Sequence, residues 1–475
     1  MEDWVKRIFD EQKKKRKKPL EVKRIGWNYY LYSSTTVWSK EEKRRKKVSR
    51  YIGKITEQGV VEGSRTNHPV RSIYEYGNAR CLMDIVDDIV PSLKEVFPDD
   101  YHEIVAMGIV RMIHPTPLRL MKSRWEKLYL SREMKVSLSP NILSERLRLI
   151  GSDWGAQKLF FDRLLSRSKY LLFDLSSLFS YSQDLRLAEK GHNADHLYLK
   201  QVNFALFFSH DHGVPVMLKP MPGSIRDVKS LRNMMKEVKF GSVIMVLDRG
   251  PASYTLPKVL HDDGVSFVLP LRRNFKVIEY DMKMNDCFVY HDRGINWGRK
   301  QIGEHFLYLF EDVKLRAEEE TNFIDLIGKE KRKKSQLREE RKRFGKIALL
   351  SDLDEKGEQV YLLYKTREEI EVAFDAMKNE MENDKSYLSD DDAVRGYFFI
   401  SFISLYLYFR ILGMLRQHDL VGKVSVHEVL FEFSKVYLVY YSDGRKRLSE
   451  IPAKVEKLEK TLGLKLFPKE LRSES

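Results

Sequence analysis

The sequence predicts an α/β fold built on a mixed β-sheet, preceded by a basic α+β region and followed by a helical one. Three observations predict it. Between residues 170 and 270, short apolar runs alternate with helix-like segments in the order β, β, β, α, β, α, β, which gives an antiparallel meander followed by crossover strands. Residues 1–54 hold 18 Lys and Arg against 7 Asp and Glu, so most of the +15 net charge sits in one terminal segment. A long apolar helix covers about 390–416, and smaller elements close the chain.

In chain order, residues 1–20 read as a flexible basic tail ending in KKKRKK, Lys13 to Lys18. From 24 to 61, aromatic and β-branched residues alternate with polar ones, which predicts a β-hairpin unit with a basic loop at Lys43–Lys47. From about 75 to 167 the pattern is helical: DDYHEIVAMGIVRMI and PLRLMKSRWEKLYLS are amphipathic, and SPNILSERLRLIG opens on Ser, Pro and Asn start signals. Residues 1–165 form one expected N-terminal region.

The first part of the expected core is 166–270. KYLLFDLSSLF is a buried strand expected to end on Asp174, and SVIMVLDRG is another ending on Asp248. VNFALFFSHDHGVPVMLKP gives two strands around a His-Asp-His-Gly turn. RDVKSLRNMMKEVK and PASYTLPKVLHDDG are helical, and VSFVLPL is a fifth strand. Residues 271–345 interrupt this rhythm as a β-rich, then basic insertion, with the charged run 329–346 expected as a solvated helix. The core resumes over 346–416 with a short strand at Gln359–Tyr364. A helix follows, with Thr366 as N-cap and Glu369 completing a capping box. Ser389 is the expected N-cap of the long helix, ahead of Asp390, Asp391 and Asp392. The apolar run Tyr397 to Leu415 could span a bilayer by length, but Arg410 and its Tyr and Ser residues favour a buried core helix. Residues 417–475 form a C-terminal region that could serve dimerisation.

Composition excludes several classes. Hydrophobic content of 43% and aromatic content of 12% build real cores, so global disorder is excluded. Two cysteines, Cys81 and Cys287, cannot form a disulfide framework or a cysteine zinc site and point to a reducing compartment. The charged N-terminus shows no apolar leader, and action in the cytoplasm is expected. The charge and a pI near 9.3 point to a polyanion, with double-stranded DNA as the expected partner; a solvated tail or targeting run is the alternative.

Three acids stand out. Asp174 and Asp248 follow buried strands, which deliver a side chain to a sheet rim with little freedom. Each could instead cap the next helix. Glu371 lies four residues after Arg367 and seven before Lys378, so all three share one helical stripe, with Tyr364 nearby. Alone, that stripe reads as an i,i+4 ion pair. Together, three carboxylates on one sheet and helix need hard cations. Oxygen ligands favour two Mg²⁺ or Mn²⁺ ions, which clamp a phosphodiester between attacking and leaving oxygens. Arg367 and Lys378 then hold phosphates and Tyr364 hydrogen-bonds one. His192, His210 and His212 read as polar loop or turn residues and not as metal ligands.

On these residues the chain resembles the DDE transposases of bacterial and archaeal insertion sequences, in the branch with a Tyr-(2)-Arg-(3)-Glu-(6)-Lys signature. Tyr364, Arg367, Glu371 and Lys378 match all four positions, LLFDLSSLF resembles the first-Asp strand and VLDRG the second-Asp motif. The intervening GHNADHLYLKQVNFALFFSHDHGVPVMLKPMPGSIRD, the helix VRGYFFISFISLYLYFRILGML and YIGKITEQGVV near the N-terminus are similar too, so the likeness covers nearly the whole chain. The resemblance implies an RNase H-like core with a β-rich insertion before the last acid. It also implies catalysis by Asp174, Asp248 and Glu371 on two metal ions, cut-and-paste movement of DNA, and a homodimer or larger synaptic complex on terminal inverted repeats. Some relatives stack an insertion aromatic on a flipped base. Trp297 in INWGRK is a candidate for this, and a core tryptophan is the alternative. Two other readings stay open: a catalytically idle DNA-binding protein of transposase descent, and an RNase H-like nuclease without strand transfer.

Overall fold

The structure is a computed structural model. It describes residues 2–472 apart from 17, 40–43, 63–68, 116, 181, 183, 192–198, 226, 239, 250, 251, 254, 381–384 and 387. The reading of His192 lies outside the described residues. The chain divides into two compact units, Met1–Arg71 with Tyr441–Arg445, and Ser72–Tyr440 with Lys446–Ser475.

The smaller unit is a four-stranded antiparallel sheet, β1 (Leu20–Ile25), β2 (Asn28–Ser39), β3 (Arg44–Thr56) and β4 (Gly59–Glu62), with helix α1 (Asp3–Lys15). The tail expected to be flexible is therefore helical over α1. Val5 and Ile8 lie three apart on one face and are buried with Tyr29, Leu31 and Ile55, which orders the segment despite its charge. The basic loop expected at Lys43–Lys47 is also strand from Arg44 onward, because the β2–β3 ladder runs out to Ser39 and Arg44.

In the larger unit, helices α2 (Gly77–Val86), α3 (Val90–Val96), α4 (Tyr101–Ile113), α5 (Met121–Trp125), α6 (Leu130–Glu133), α7 (Pro140–Ser152) and α8 (Trp154–Leu165) share one core with the main sheet. A short sheet joins β5 (Val70–Glu75), β17 (Tyr437–Tyr441) and β18 (Lys446–Leu448). The main sheet begins with β6 (Tyr170–Ser180), β7 (Glu189–Lys190), β8 (Lys200–Ser209) and β9 (Val214–Pro222). Helix α9 (Asp227–Glu237), β10 (Ile244–Leu247), α10 (Leu256–Asp262) and β11 (Ser266–Pro270) follow in the predicted order. β8 is antiparallel to both β6 and β9, while β10 is parallel to both β6 and β11.

The segment 271–345 does not leave this sheet. β12 (Asp286–Tyr290), β13 (Arg293–Ile302) and β14 (His305–Asp312) extend it antiparallel, through β15 (Lys346–Ser351), to β11. Helix α11 (Val313–Gly328) starts on Asp312, whose carboxylate accepts from Leu315 N at 2.9 Å. The charged run expected as one solvated helix is instead a set of exposed turns around the short α12 (Leu337–Glu340).

The strand expected at Gln359–Tyr364 lies inside helix α13 (Gly357–Lys365). Val360, Tyr361 and Tyr364 are buried at helical spacing, a 3.6-residue period hidden in a short apolar run. Helix α14 (Glu368–Asp375) follows, then a π-helical turn (Ala376–Glu380) and β16 (Lys385–Ser386). Helix α15 (Asp391–Gln417) is the predicted core helix, 72% buried over its most apolar window. Its N-cap is Asp390 and not Ser389: the Asp390 carboxylate accepts from Ala393 N at 2.8 Å. Gly396 lets α15 touch α7, because a Cβ there would strike the Leu147 carbonyl. Helices α16 (Val426–Phe433), opened by a Ser425–Glu428 capping box, and α17 (Ala453–Thr461) complete the C-terminal region, which is thus partly β.

Candidate active site

Asp174 does not end its strand. It sits midway along β6, whose ladder with β8 continues from Asp174 opposite Leu206 to Phe179 opposite Gln201. What ends nearby is the neighbour. β10 pairs Leu247 with Phe173 and then stops, so Asp248 comes one residue past that pair and Asp174 one residue past its partner. Asp248 thus leaves the sheet beside Asp174, where adjacent strand backbones lie about 4.8 Å apart. Farther along β6, β16 joins it in parallel at Phe179.

The same face carries α14. Asp174 and Leu206 share a face, as does Phe204 two residues along, and Phe204 packs edge-on to Phe374 of α14 with ring centroids 5.6 Å apart. Glu371 therefore rides on a helix lying over the face that carries Asp174. Arg367, just before α14, joins Asp248 to Glu371: its Nη1 donates to Asp248 Oδ1 at 3.0 Å and to Glu371 Oε1 at 3.0 Å. The guanidinium carbon lies 5.3 Å from the ring centroid of Tyr364, which is buried. Burial disfavours the Arg367 cation, but Tyr364, Asp248 and Glu371 together hold its pKa above the ordinary value.

Residues 176–407 match the family model of the transposase DDE domain. The matched span includes Asp248, Tyr364, Arg367, Glu371 and Lys378, and it starts two residues after Asp174. Among solved structures, the chain is similar to that of a piggyBac transposase synaptic complex with hairpin DNA, determined by cryo-EM. The identity is 13% and the TM-score 0.42, covering 76% of this chain and 79% of that one. No curated protein matches the chain.

Within the DDE-domain match, Glu369 has a role that local sequence did not reveal. It forms no capping box: Thr366 Oγ1 donates to Leu363 O at 2.6 Å, and the α14 N-cap is Arg367. Glu369 instead meets His210 Nδ1 at 3.0 Å and Arg416 of α15 at 3.6 Å. His210 is thus more than a polar turn residue, since it ties the β8–β9 turn to α14. The Glu369 carboxylate raises its pKa, against the opposing effect of burial. Asp211 accepts from Tyr170 N at 3.1 Å and from Lys169 N, which pins the same turn to the start of β6. His212 Nε2 faces the Arg167 carbonyl at 2.8 Å. The HDHG motif carried the signal, but its partners lie on another element, more than 150 residues away in the case of Glu369.

Lys378 falls in the π-helical turn, so the seven-residue interval from Glu371 no longer guarantees one stripe. Trp297 pairs across β13 with Asp286 and Phe310, and its ring packs on Gly357 at the start of α13. The flanking cations are already paired: Arg299 with Asp354, and Lys300 with Glu279 at 2.5 Å. Among the described residues, no group of three His, Cys, Asp or Glu side chains stands together as a ready metal cage. The carboxylates fit a hard divalent ion in kind, being oxygen donors only. The cation that now lies between Asp248 and Glu371 is the Arg367 guanidinium.

Proposed function

We propose that the chain is a transposase that binds the ends of a mobile DNA element and catalyses metal-dependent strand cleavage and strand transfer. The observation that carries this reading is the convergence of Asp248, Arg367 and Glu371 on the sheet face that also holds Asp174, largely inside a transposase DDE match. In the cleavage step, water adds to phosphorus at the element boundary and the element's 3′-oxygen leaves as a hydroxyl. In the transfer step, that 3′-hydroxyl loses its proton and attacks a target phosphodiester, displacing the target's 3′-oxygen. Asp174, Asp248 and Glu371 would hold two Mg²⁺ or Mn²⁺ ions, which supply charge stabilisation to the attacking and leaving oxygens. Arg367, seated over Tyr364, would then turn to a substrate phosphate, and Lys378 would hold another.

The meander followed by parallel strands supports the RNase H-like core in this reading, and the spacing of Tyr364, Arg367, Glu371 and Lys378 supports the insertion-sequence branch. Action in the cytoplasm on terminal inverted repeats, as a homodimer that joins two ends, belongs to the same reading. A second reading has one observation in its favour. Arg367 already occupies the gap between Asp248 and Glu371, which favours a DNA-binding protein of transposase descent whose site is idle.

One experiment separates them. Purified protein is incubated with a labelled duplex from the inverted repeat flanking the gene, with Mg²⁺, Mn²⁺ or chelator, beside Glu371→Ala. Metal-dependent cuts at the repeat boundary that the variant does not make are the expected result. Binding without cutting under every metal leaves the idle relic.

A further inference from the structure

The β2–β3 ladder of the smaller unit reaches far beyond the rest of its sheet. β1 pairs with β2 only as far as Ser33, and β4 pairs with β3 only over Gly53–Thr56. From Ser33 opposite Arg50 to Ser39 opposite Arg44 the ladder runs for seven consecutive pairs, and past Ser34 no third strand flanks it among the described residues. At about 3.3 Å per residue that is a ribbon about 23 Å long.

Its composition is one-sided. The β3 strand of the ribbon carries Arg44, Arg45, Lys46, Lys47 and Arg50, all exposed. The facing β2 strand is Ser33, Ser34, Thr35, Thr36, Val37, Trp38 and Ser39. Lys47 pairs with Glu21 at 2.9 Å, so acid offsets part of this charge. The buried core of the unit lies at the other end, around Tyr29, Leu31 and Ile55. Within that unit, a two-stranded ribbon with no apolar face to bury is marginal in water. An unbacked ribbon of dense positive charge and short hydroxyls matches one surface in particular. The major groove of B-form DNA admits a two-stranded ribbon between two phosphate walls, and Ser and Thr hydroxyls reach base edges or phosphates there.

We infer that the β2–β3 ribbon docks in the major groove of duplex DNA, with one face and its β2 hydroxyls toward the bases and its long β3 cations reaching the phosphate walls. This inference rests on the reading that the chain binds element ends, and it names the segment that does so. A-form RNA is a poor fit, because its major groove is too deep and narrow for side chains to read.

The test uses the full chain and fluorescence anisotropy across a salt series. The probes are a labelled duplex from the flanking inverted repeat, a scrambled duplex, a single strand and an RNA duplex of the same length. Arg44→Ala, Arg45→Ala, Lys46→Ala and Lys47→Ala are combined in one variant, with the melting temperature checked against wild type. The expected result is a loss of duplex affinity on the order of a hundredfold, with the log–log salt slope shallower by about 2 to 4, as follows from about 0.9 per lost phosphate contact. Thr35 and Thr36 point to opposite faces of β2, so Thr35→Val and Thr36→Val are made singly: one of the two is expected to narrow the preference for the repeat over the scrambled duplex and the other is not, with the slope unchanged in both. If wild type binds the repeat and the four-residue variant binds it with the same affinity and slope, the ribbon is not the docking element, although DNA binding survives. Equal or tighter binding to the single strand or the RNA duplex overturns the groove assignment. A wild type that binds no duplex overturns this inference together with the proposed function.

Discussion

Arg367 Nη1 donates to Asp248 Oδ1 at 3.0 Å, and the same nitrogen reaches Glu371 Oε1 at 3.0 Å. The guanidinium thereby offsets part of the repulsion between two carboxylates across the gap between sheet and helix. It also competes with any divalent cation for their oxygens. Arg367→Ala is expected to bind Mn²⁺ several-fold more tightly without DNA, measured by calorimetry, while strand transfer falls. The stability change should be at most about 1 kcal/mol, because Glu371 is exposed and surface ion pairs contribute little. A drop in melting temperature as large as that of a core variant, with unchanged Mn²⁺ affinity, would return the contact to a plain ion pair.

Asp174 lies one residue past Phe173 on β6 and Asp248 one residue past its partner Leu247 at the end of β10, so their amide variants should behave alike. Asp174→Asn and Asp248→Asn each keep the side-chain volume and remove a charge. Cleavage is expected to fall at least about a thousandfold, with end binding within about twofold of wild type. If either variant lost binding and kept cleavage, that aspartate would be structural.

His210 gives a pH signature. Its pKa is raised above 6.5 in the folded chain, chiefly by the Glu369 hydrogen bond. A raised folded pKa contributes stability that is fully present below about pH 6.5 and lost as the pH rises through the folded value. The stability gap between wild type and His210→Gln should therefore be widest in mild acid and shrink toward pH 8, as denaturant titrations at several pH values would show. A gap independent of pH would mean that packing, and not the His210–Glu369 pair, anchors α14.

Trp297 packs on Gly357, where a Cβ would collide with the indole. Trp297→Ala should cost about 2–3 kcal/mol as a partly buried large-to-small change. Trp297→Phe should recover most of that loss, and neither should alter the cleavage pattern. Loss of a specific DNA intermediate at wild-type melting temperature would instead support base stacking.

Close helix contact supplies a control for general destabilisation. Gly396→Ala would drive a methyl into the Leu147 carbonyl and push α15 off α7. A loss of about 1–3 kcal/mol is expected, with cleavage by the remaining folded protein unchanged.

The sequence alone determined the alternation of buried strands and helices from β6 to β11, because period and composition within a few residues decide it. It also determined that α15 is a core helix, that charge concentrates near the N-terminus, and that Asp248 follows a strand. The four-residue spacing from Arg367 to Glu371 was likewise legible, since one helical turn fixes it. Tertiary structure decided what depends on distant partners. Whether Gln359–Tyr364 is strand or helix turned on burial against the sheet. Glu369 left its expected cap for His210 and Arg416, and the tail over Asp3–Lys15 became a helix once Val5 and Ile8 met the small sheet. Asp174 lies mid-strand because the ladder of β6 with β8 runs on to Phe179, while β10 ends beside Phe173. Local propensity is a matter of tenths of a kcal/mol per residue, whereas burying a side chain is worth one to a few, so long-range packing prevails wherever the two disagree.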